Sequence, residues 1–162
     1  MRRNDREITD IEKILNIIDA AKILHLGLFA DGYPYVVPLH YGYEYKNGCL
    51  SFYLHSAREG RKLDLIQSNP NVCIELETNV ALVSGGSIPC HYGAAFSSVI
   101  ATGVAELVDD DQEKIKGLQL LMRTQTQKDF DINEKMAAAV TVIKVTVHEF
   151  TAKERPMPSV QR

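Results

Sequence analysis

The segment His55-Ser56-Ala57-Arg58-Glu59-Gly60-Arg61-Lys62 places an imidazole, a hydroxyl and three cations close together. It leaves an alternating stretch in which Leu50, Phe52 and Leu54 oppose Ser51, Tyr53 and His55. It then enters a short helix predicted over about 58–67, ending at Asn69-Pro70. Ser56 and Glu59 have capping-box spacing, so Ser56 is the expected N-cap. A purely structural reading would stop at a capped helix with solvated charges. Charge placement goes further. On that helix Arg58, Arg61 and Lys62 would share one face at i, i+3 and i+4, near an N-terminus whose dipole disfavours cations by ~0.3–1 kcal/mol each. The arrangement becomes favourable when an anion is held there by free N–H groups, the Ser56 hydroxyl and the basic side chains. Gly60 would allow close approach. Phosphate is the natural anion.

The elements that must position this cluster are mostly strands. Thr9-Asp10-Ile11-Glu12 has the form of a capping box and precedes an apolar stripe of Ile11, Ile14, Leu15 and Ile18, which predicts an opening helix. Leu24, Leu26 and Leu28 then alternate with His25 and Gly27. Asp31-Gly32 predicts a hairpin into the proline-interrupted strand 35–41, and Asn47-Gly48 a second hairpin into the strand ending at His55. These read as three consecutive antiparallel strands. A strand near 72–76, a loop over 78–93, a long strand over 96–108, a helix opened by Asp109-Asp110-Asp111 and a strand over 139–150 complete the chain. Six β segments with early hairpins favour an antiparallel barrel with flanking helices over a parallel α/β sheet.

Other classes lack their signatures. The 162 residues fit one domain, expected over 1–162 with an ordered core of about 7–153. The net charge of −3 carries no broad footprint for nucleic acid or anionic membranes. Cys49, Cys73 and Cys90 lack C-x-x-C spacing and are expected to be small buried thiols in a reducing compartment. There is no apolar h-region and no run near the ~20 residues of a membrane span, which points to the cytoplasm. Rossmann, P-loop, H-E-x-x-H and G-x-S-x-G patterns are all missing, and Gly85-Gly86 is not followed by Lys-Ser or Lys-Thr. Cys90-His91 has no third ligand in place, so no metal site is expected. His25 and His148 read as structural or exposed.

Tyr35-Val36-Val37-Pro38-Leu39, the strand ending at His55, and Gly60-Arg61-Lys62 together resemble the FMN-binding split-barrel superfamily of pyridoxamine 5'-phosphate oxidase. The sequence is most similar to its 5-nitroimidazole reductase branch. Arg2-Arg3-x-Asp5-Arg6-Glu7, Pro34-Tyr35-Val36-Val37-Pro38-Leu39, His55-Ser56-Ala57-x-x-Gly60-Arg61-Lys62 and Ser98-Val99-Ile100-x-x-Gly103 follow that branch in order. The resemblance implies a six-stranded antiparallel split β-barrel, usually a homodimer, with FMN at the subunit interface. It implies that Arg61 and Lys62 hold the FMN phosphate beside Ser56. Val37, Pro38 and Leu39 would line the flavin, with His40 on the same bordering strand, and Ser98 would face the cofactor. His55 matches a histidine found beside the flavin. Because an imidazole titrates close to neutral pH, His55 is the candidate proton donor. The chain departs from the pattern at Phe96-Ser97, where the branch has Tyr-Arg, and at Ala101, where it has Gly. The implied function is an FMN-dependent reductase of a small electron-poor compound such as a nitroaromatic, using NAD(P)H or another small donor. The alternative is a non-catalytic flavin or haem protein acting as carrier or sensor.

Overall fold

The computed structural model describes residues 3–158, so Arg2 of the N-terminal motif lies outside the described residues. A 3-10 turn (Asn4–Arg6) leads to β1 (Glu7–Ile8), α1 (Ile11–Ala20), β2 (Leu24–Leu28), β3 (Tyr35–Leu39), β4 (Tyr41–Lys46) and β5 (Cys49–Ser56). Then come α2 (Arg61–Ser68), β6 (Asn71–Val83), a 3-10 turn (Pro89–His91), β7 (Gly93–Leu107), α3 (Asp111–Thr126), α4 (Glu134–Ala137) and β8 (Thr141–Arg155).

All strand pairs are antiparallel, in the order β3-β2-β6-β7-β8-β5-β4, with β1 added on β8. This is the expected mainly antiparallel β architecture with flanking helices, but it has eight strands rather than six. Two features account for the difference: the short β1, and division of the 35–41 run at His40. β3 and β4 stand at opposite ends of the sheet order, yet only His40 separates them in the chain. The sheet must therefore curl until its ends meet at that residue, which is the geometry of a split barrel.

The expected three-strand meander is thus broken at its centre. β2–β3 and β4–β5 are hairpins, but β3 does not pair with β4. Pro38 offers no amide to a ladder and sits on an end strand, where a proline is tolerated. The Asn47-Gly48 turn is as expected, with both residues at positive φ (53° and 81°). The stretch predicted as a loop is largely sheet: β6 continues to Val83 and β7 begins at Gly93. A bulge between Thr78 and Ala81, with Asn79 at φ 57°, breaks the alternation that would have signalled a strand. The cap of α1 is Asp10, not Thr9, because the Asp10 carboxylate accepts from the Glu12 and Lys13 amides.

The barrel interior is filled by Leu24, Leu26, Phe52, Leu54, Ile74, Leu76, Val99, Ile143 and Val145, closed by Ile14, Ile17 and Ile18 of α1 and by Leu63 and Ile66 of α2. At about 1.5–3 kcal/mol for each fully buried large side chain, these strands hold the ends of β5 and α2 in place. The cysteines are not part of this core. Cys49, Cys73 and Cys90 are all exposed, at a hairpin end, on the outward-facing positions of β6 and in the Pro89–His91 turn. Among the described residues no helix is long and apolar enough to cross a membrane, and no group of three or more His, Cys, Asp or Glu could hold a metal.

Candidate functional site

The end of β5 delivers Ser56 to a turn over 57–60, and α2 begins only at Arg61. The cap is Gly60, at φ 143°, rather than Ser56, and no side chain caps the helix. Glycine is suited to that backbone conformation. Leu63 N–H and Asp64 N–H donate to the Gly60 carbonyl, whereas the Arg61 and Lys62 amides lie in the first turn, where no helical acceptor exists. The open helix start therefore points two amides and two cationic side chains outward.

Arg58 does not share that face. It precedes the helix and its guanidinium donates to the Ala138 carbonyl. The expected trio of cations on one helix face reduces to Arg61 and Lys62. Arg61 is held from the side by two rings, its guanidinium carbon lying 4.9 Å from the Tyr35 ring centroid and 5.7 Å from that of Tyr33. No local spacing links these tyrosines to Arg61, because the β2–β3 hairpin carries them to α2 only in the fold.

Ser56, freed from capping, is 5% exposed, and its Oγ is buried without a hydrogen-bond partner. An unpaired buried hydroxyl costs about 1–3 kcal/mol, a cost removed when an acceptor arrives. A phosphate oxygen is such an acceptor. Ser56, two free amides and two cations form a donor set that fits the phosphate of a flavin nucleotide.

His55 pairs with Val142 of β8 on one side. Its pKa is pushed down from 6.5 by partial burial, by His40 and by Lys62. His40 and Lys62 thus both lie within electrostatic range of His55. Val37 and Leu39 of β3 pack toward the core while Pro38 is exposed. As an end strand, β3 leaves backbone groups unpaired on the side away from β2.

Ser98 is not brought to this cluster within the single chain. It lies on β7, two strands beyond β2 from β3, opposite Glu77 and Lys153. Neighbouring Ser97, 5% exposed, accepts from the Asn79 side-chain amide at 3.4 Å. A separate 610 Å³ cavity is lined by Gly27, Phe29, Tyr33, Cys73, Thr102 and His148 among others, and none of the site residues expected from the sequence borders it. His25 is half-exposed and lies 3.1 Å from the Glu75 carboxylate.

Comparison with known proteins agrees with this geometry. Residues 10–154 match the family described as pyridoxamine 5'-phosphate oxidase. A candidate 5-nitroimidazole antibiotic resistance protein from Bacteroides thetaiotaomicron is 34% identical, with 91% of this chain and 86% of that chain covered and a TM-score of 0.77. The flavocytochrome Anf3 from Azotobacter vinelandii (22% identity, 100% of this chain and 75% of that one, TM-score 0.77) has the same fold. So does an FAD and heme binding protein from Mycobacterium smegmatis (16% identity, 95% and 76%, TM-score 0.77). No curated protein sequence matches the chain.

Proposed function

Since the chain belongs to the pyridoxamine 5'-phosphate oxidase family, we propose that it is an FMN-dependent oxidoreductase that reduces a small electron-poor compound such as a nitroaromatic. The observation that carries this reading is the unpartnered Ser56 hydroxyl beside the open start of α2 with Arg61 and Lys62. Ser56 and Lys62 would bind the phosphate together with Arg61, whose stacking on Tyr33 and Tyr35 limits the rotamer entropy lost on binding. Val37, Pro38 and Leu39 would line the flavin from the end strand. His40 and His55 would stand beside it. When bound, the flavin would supply the two-electron chemistry, leaving binding, orientation and proton handling to the protein. The nitroaromatic class is supported by the 34% identical protein, whose description is 5-nitroimidazole resistance.

The protein would act in the cytoplasm as a homodimer with NAD(P)H as donor. Ser98, remote from its own chain's Arg61, would then serve the partner's flavin. The exposed apolar side chains Phe29, Tyr33, Val36 and Ile100 support a second copy covering that side of the sheet.

Titration of FMN and riboflavin tests the phosphate reading. A charge-assisted hydrogen bond contributes about 1.5–3 kcal/mol, so Lys62→Ala should weaken FMN binding about tenfold or more. Riboflavin, lacking the phosphate, should bind poorly to the unaltered protein. Equal binding of the two flavins would overturn it. Bleaching of the flavin band by NADH and its return on adding a nitroaromatic would separate an enzyme from a carrier.

A further inference from the structure

We propose that the 610 Å³ cavity on the outer face of β2, β6, β7 and β8 is an adenosine subsite adjoining the phosphate cluster of Ser56, Arg61 and Lys62. Ligand pockets span about 300–1,000 Å³, so a nucleoside fits the space, and a purine ring needs a flat floor between aromatic walls. Strand register supplies the floor. Gly27 pairs with Cys73 and Cys73 with Thr102, so three small residues stand in one row across β2, β6 and β7. Their chain neighbours Leu26, Leu28, Val72, Ile74 and Ala101 are buried, which turns this row outward. Gly27 has no side chain to rise into the cavity that it lines.

The walls are aromatic. Phe29 and Tyr33 line the cavity and are 63% and 62% exposed, so their ring faces remain available for stacking. His148 lines it from β8, at the bulge where the partners of Thr102 and Gly103 skip from Glu149 to Val147. Its imidazole and the Thr102 hydroxyl can exchange hydrogen bonds with the edge of a purine. Charge selects the rest of the ligand. Among the described residues that line the cavity, none is Asp or Glu. Tyr33 is common to both places: it lines the cavity, and its ring centroid lies 5.7 Å from the Arg61 guanidinium carbon. A neutral base in the cavity and an anionic phosphate at Arg61 are therefore contiguous, which is the order of groups in an adenosine phosphate.

The subsite rests on the phosphate reading of Ser56, Arg61 and Lys62 given above and extends it from a mononucleotide to a dinucleotide. Two ligands of the proposed reaction could bring the adenosine: a flavin carrying its own adenosine half, and the nicotinamide donor. Each presents adenine and ribose next to a pyrophosphate, so the chemistry met by the cavity is the same.

The test is a calorimetric titration of the flavin-free protein with AMP and with ribose 5-phosphate, which lacks the base. Base–aromatic stacking of ordinary strength corresponds to roughly 5- to 100-fold in affinity, so AMP should bind more tightly by about that factor. AMP should also slow alkylation of Cys73 by iodoacetamide while leaving Cys49 and Cys90, which are exposed and do not line the cavity, unchanged. Gly27→Leu should remove the advantage of AMP and leave FMN affinity as it was. A second pair of titrations identifies the source. FAD binding more tightly than FMN assigns the subsite to the flavin, and NADH binding more tightly than reduced nicotinamide mononucleotide assigns it to the donor; the absence of both gains overturns the proposal. Equal affinities of AMP and ribose 5-phosphate, the result expected if a second copy of the chain fills the cavity, overturn it whether or not FMN binds. An advantage of AMP in a protein that binds no FMN upholds the subsite and removes the flavin reading instead.

Discussion

Two outer faces of the same curled sheet are treated in opposite ways. Over β4, β5 and β8 the sheet is sealed by α3, whose Gly117 lies against the Tyr53 ring and whose Leu120–Leu121 backbone lies against Gly42. Tyr53, Val108 and Val142 form a second small core there. Polar bonds lock its rim: Lys144 to Glu113 at 2.6 Å, Lys116 to Glu44 at 2.6 Å, and the Gln125 side-chain amide donating to the Tyr41 carbonyl at 2.9 Å. Over β3, β2, β6 and β7 large apolar side chains stay exposed instead. Phe29 and Tyr33 are exposed where they line the 610 Å³ cavity, and Val36 of β3 and Ile100 of β7 are exposed as well. One face is finished within the chain, and the other carries exposed apolar side chains. His40 and the start of α2 lie at the seam of the sheet, which puts the candidate site at a boundary rather than in a core.

The sealed face should be the more costly to disturb. A Cβ on Gly42 would lie 2.2 Å from the Leu121 amide nitrogen and 2.4 Å from the Leu120 carbonyl carbon, both backbone atoms that no rotamer change can move. Gly42→Ala should therefore destabilise the protein by at least the ~1–3 kcal/mol typical of overpacking, as read by denaturant unfolding. A stability equal to that of the unaltered protein would mean that α3 is not seated as described. The open face predicts the opposite behaviour. Val36→Glu, at a position 57% exposed, should change chain stability by no more than about 0.5 kcal/mol. Light scattering should nevertheless show that this variant loses the dimer proposed above, and a persisting dimer would place the interface elsewhere.

The smallest effect belongs to the rim of the sealed face. The hydrogen bond from Lys144 holds the Glu113 carboxyl below its ordinary pKa. A lowered carboxylate pKa contributes stability that is present above the unfolded value and is lost as pH falls through the folded one. Glu113→Gln should thus cost at most about 1 kcal/mol near pH 7, and the difference should disappear in acid below the normal glutamate range. A pH-independent difference would assign the effect to packing instead.

Much of this protein was legible in its residues because the signals were local. Alternation located most strands, Asn47-Gly48 specified a tight hairpin, and Asp109-Asp110-Asp111 announced α3, where Asp110 accepts from the Glu113 amide. Ser56, Gly60, Arg61 and Lys62 could be singled out because their types and spacing suit an anion whichever fold carries them. The details that depend on one residue's choice of partner were not legible. Ser56 competes with Gly60 for the cap, and the wide positive φ of Gly60 moves the helix start to Arg61, which leaves the hydroxyl unpaired and turns Arg58 to Ala138. Asn79 in a left-handed conformation hides a strand from any test of alternation. Non-local geometry decided the rest. The stacking of Arg61 on Tyr33 and Tyr35 and the division of the 35–41 run both follow from closure of the barrel. Closure is a property of the whole sheet: its register joins residues far apart in the chain, and no window of sequence contains both members of such a pair.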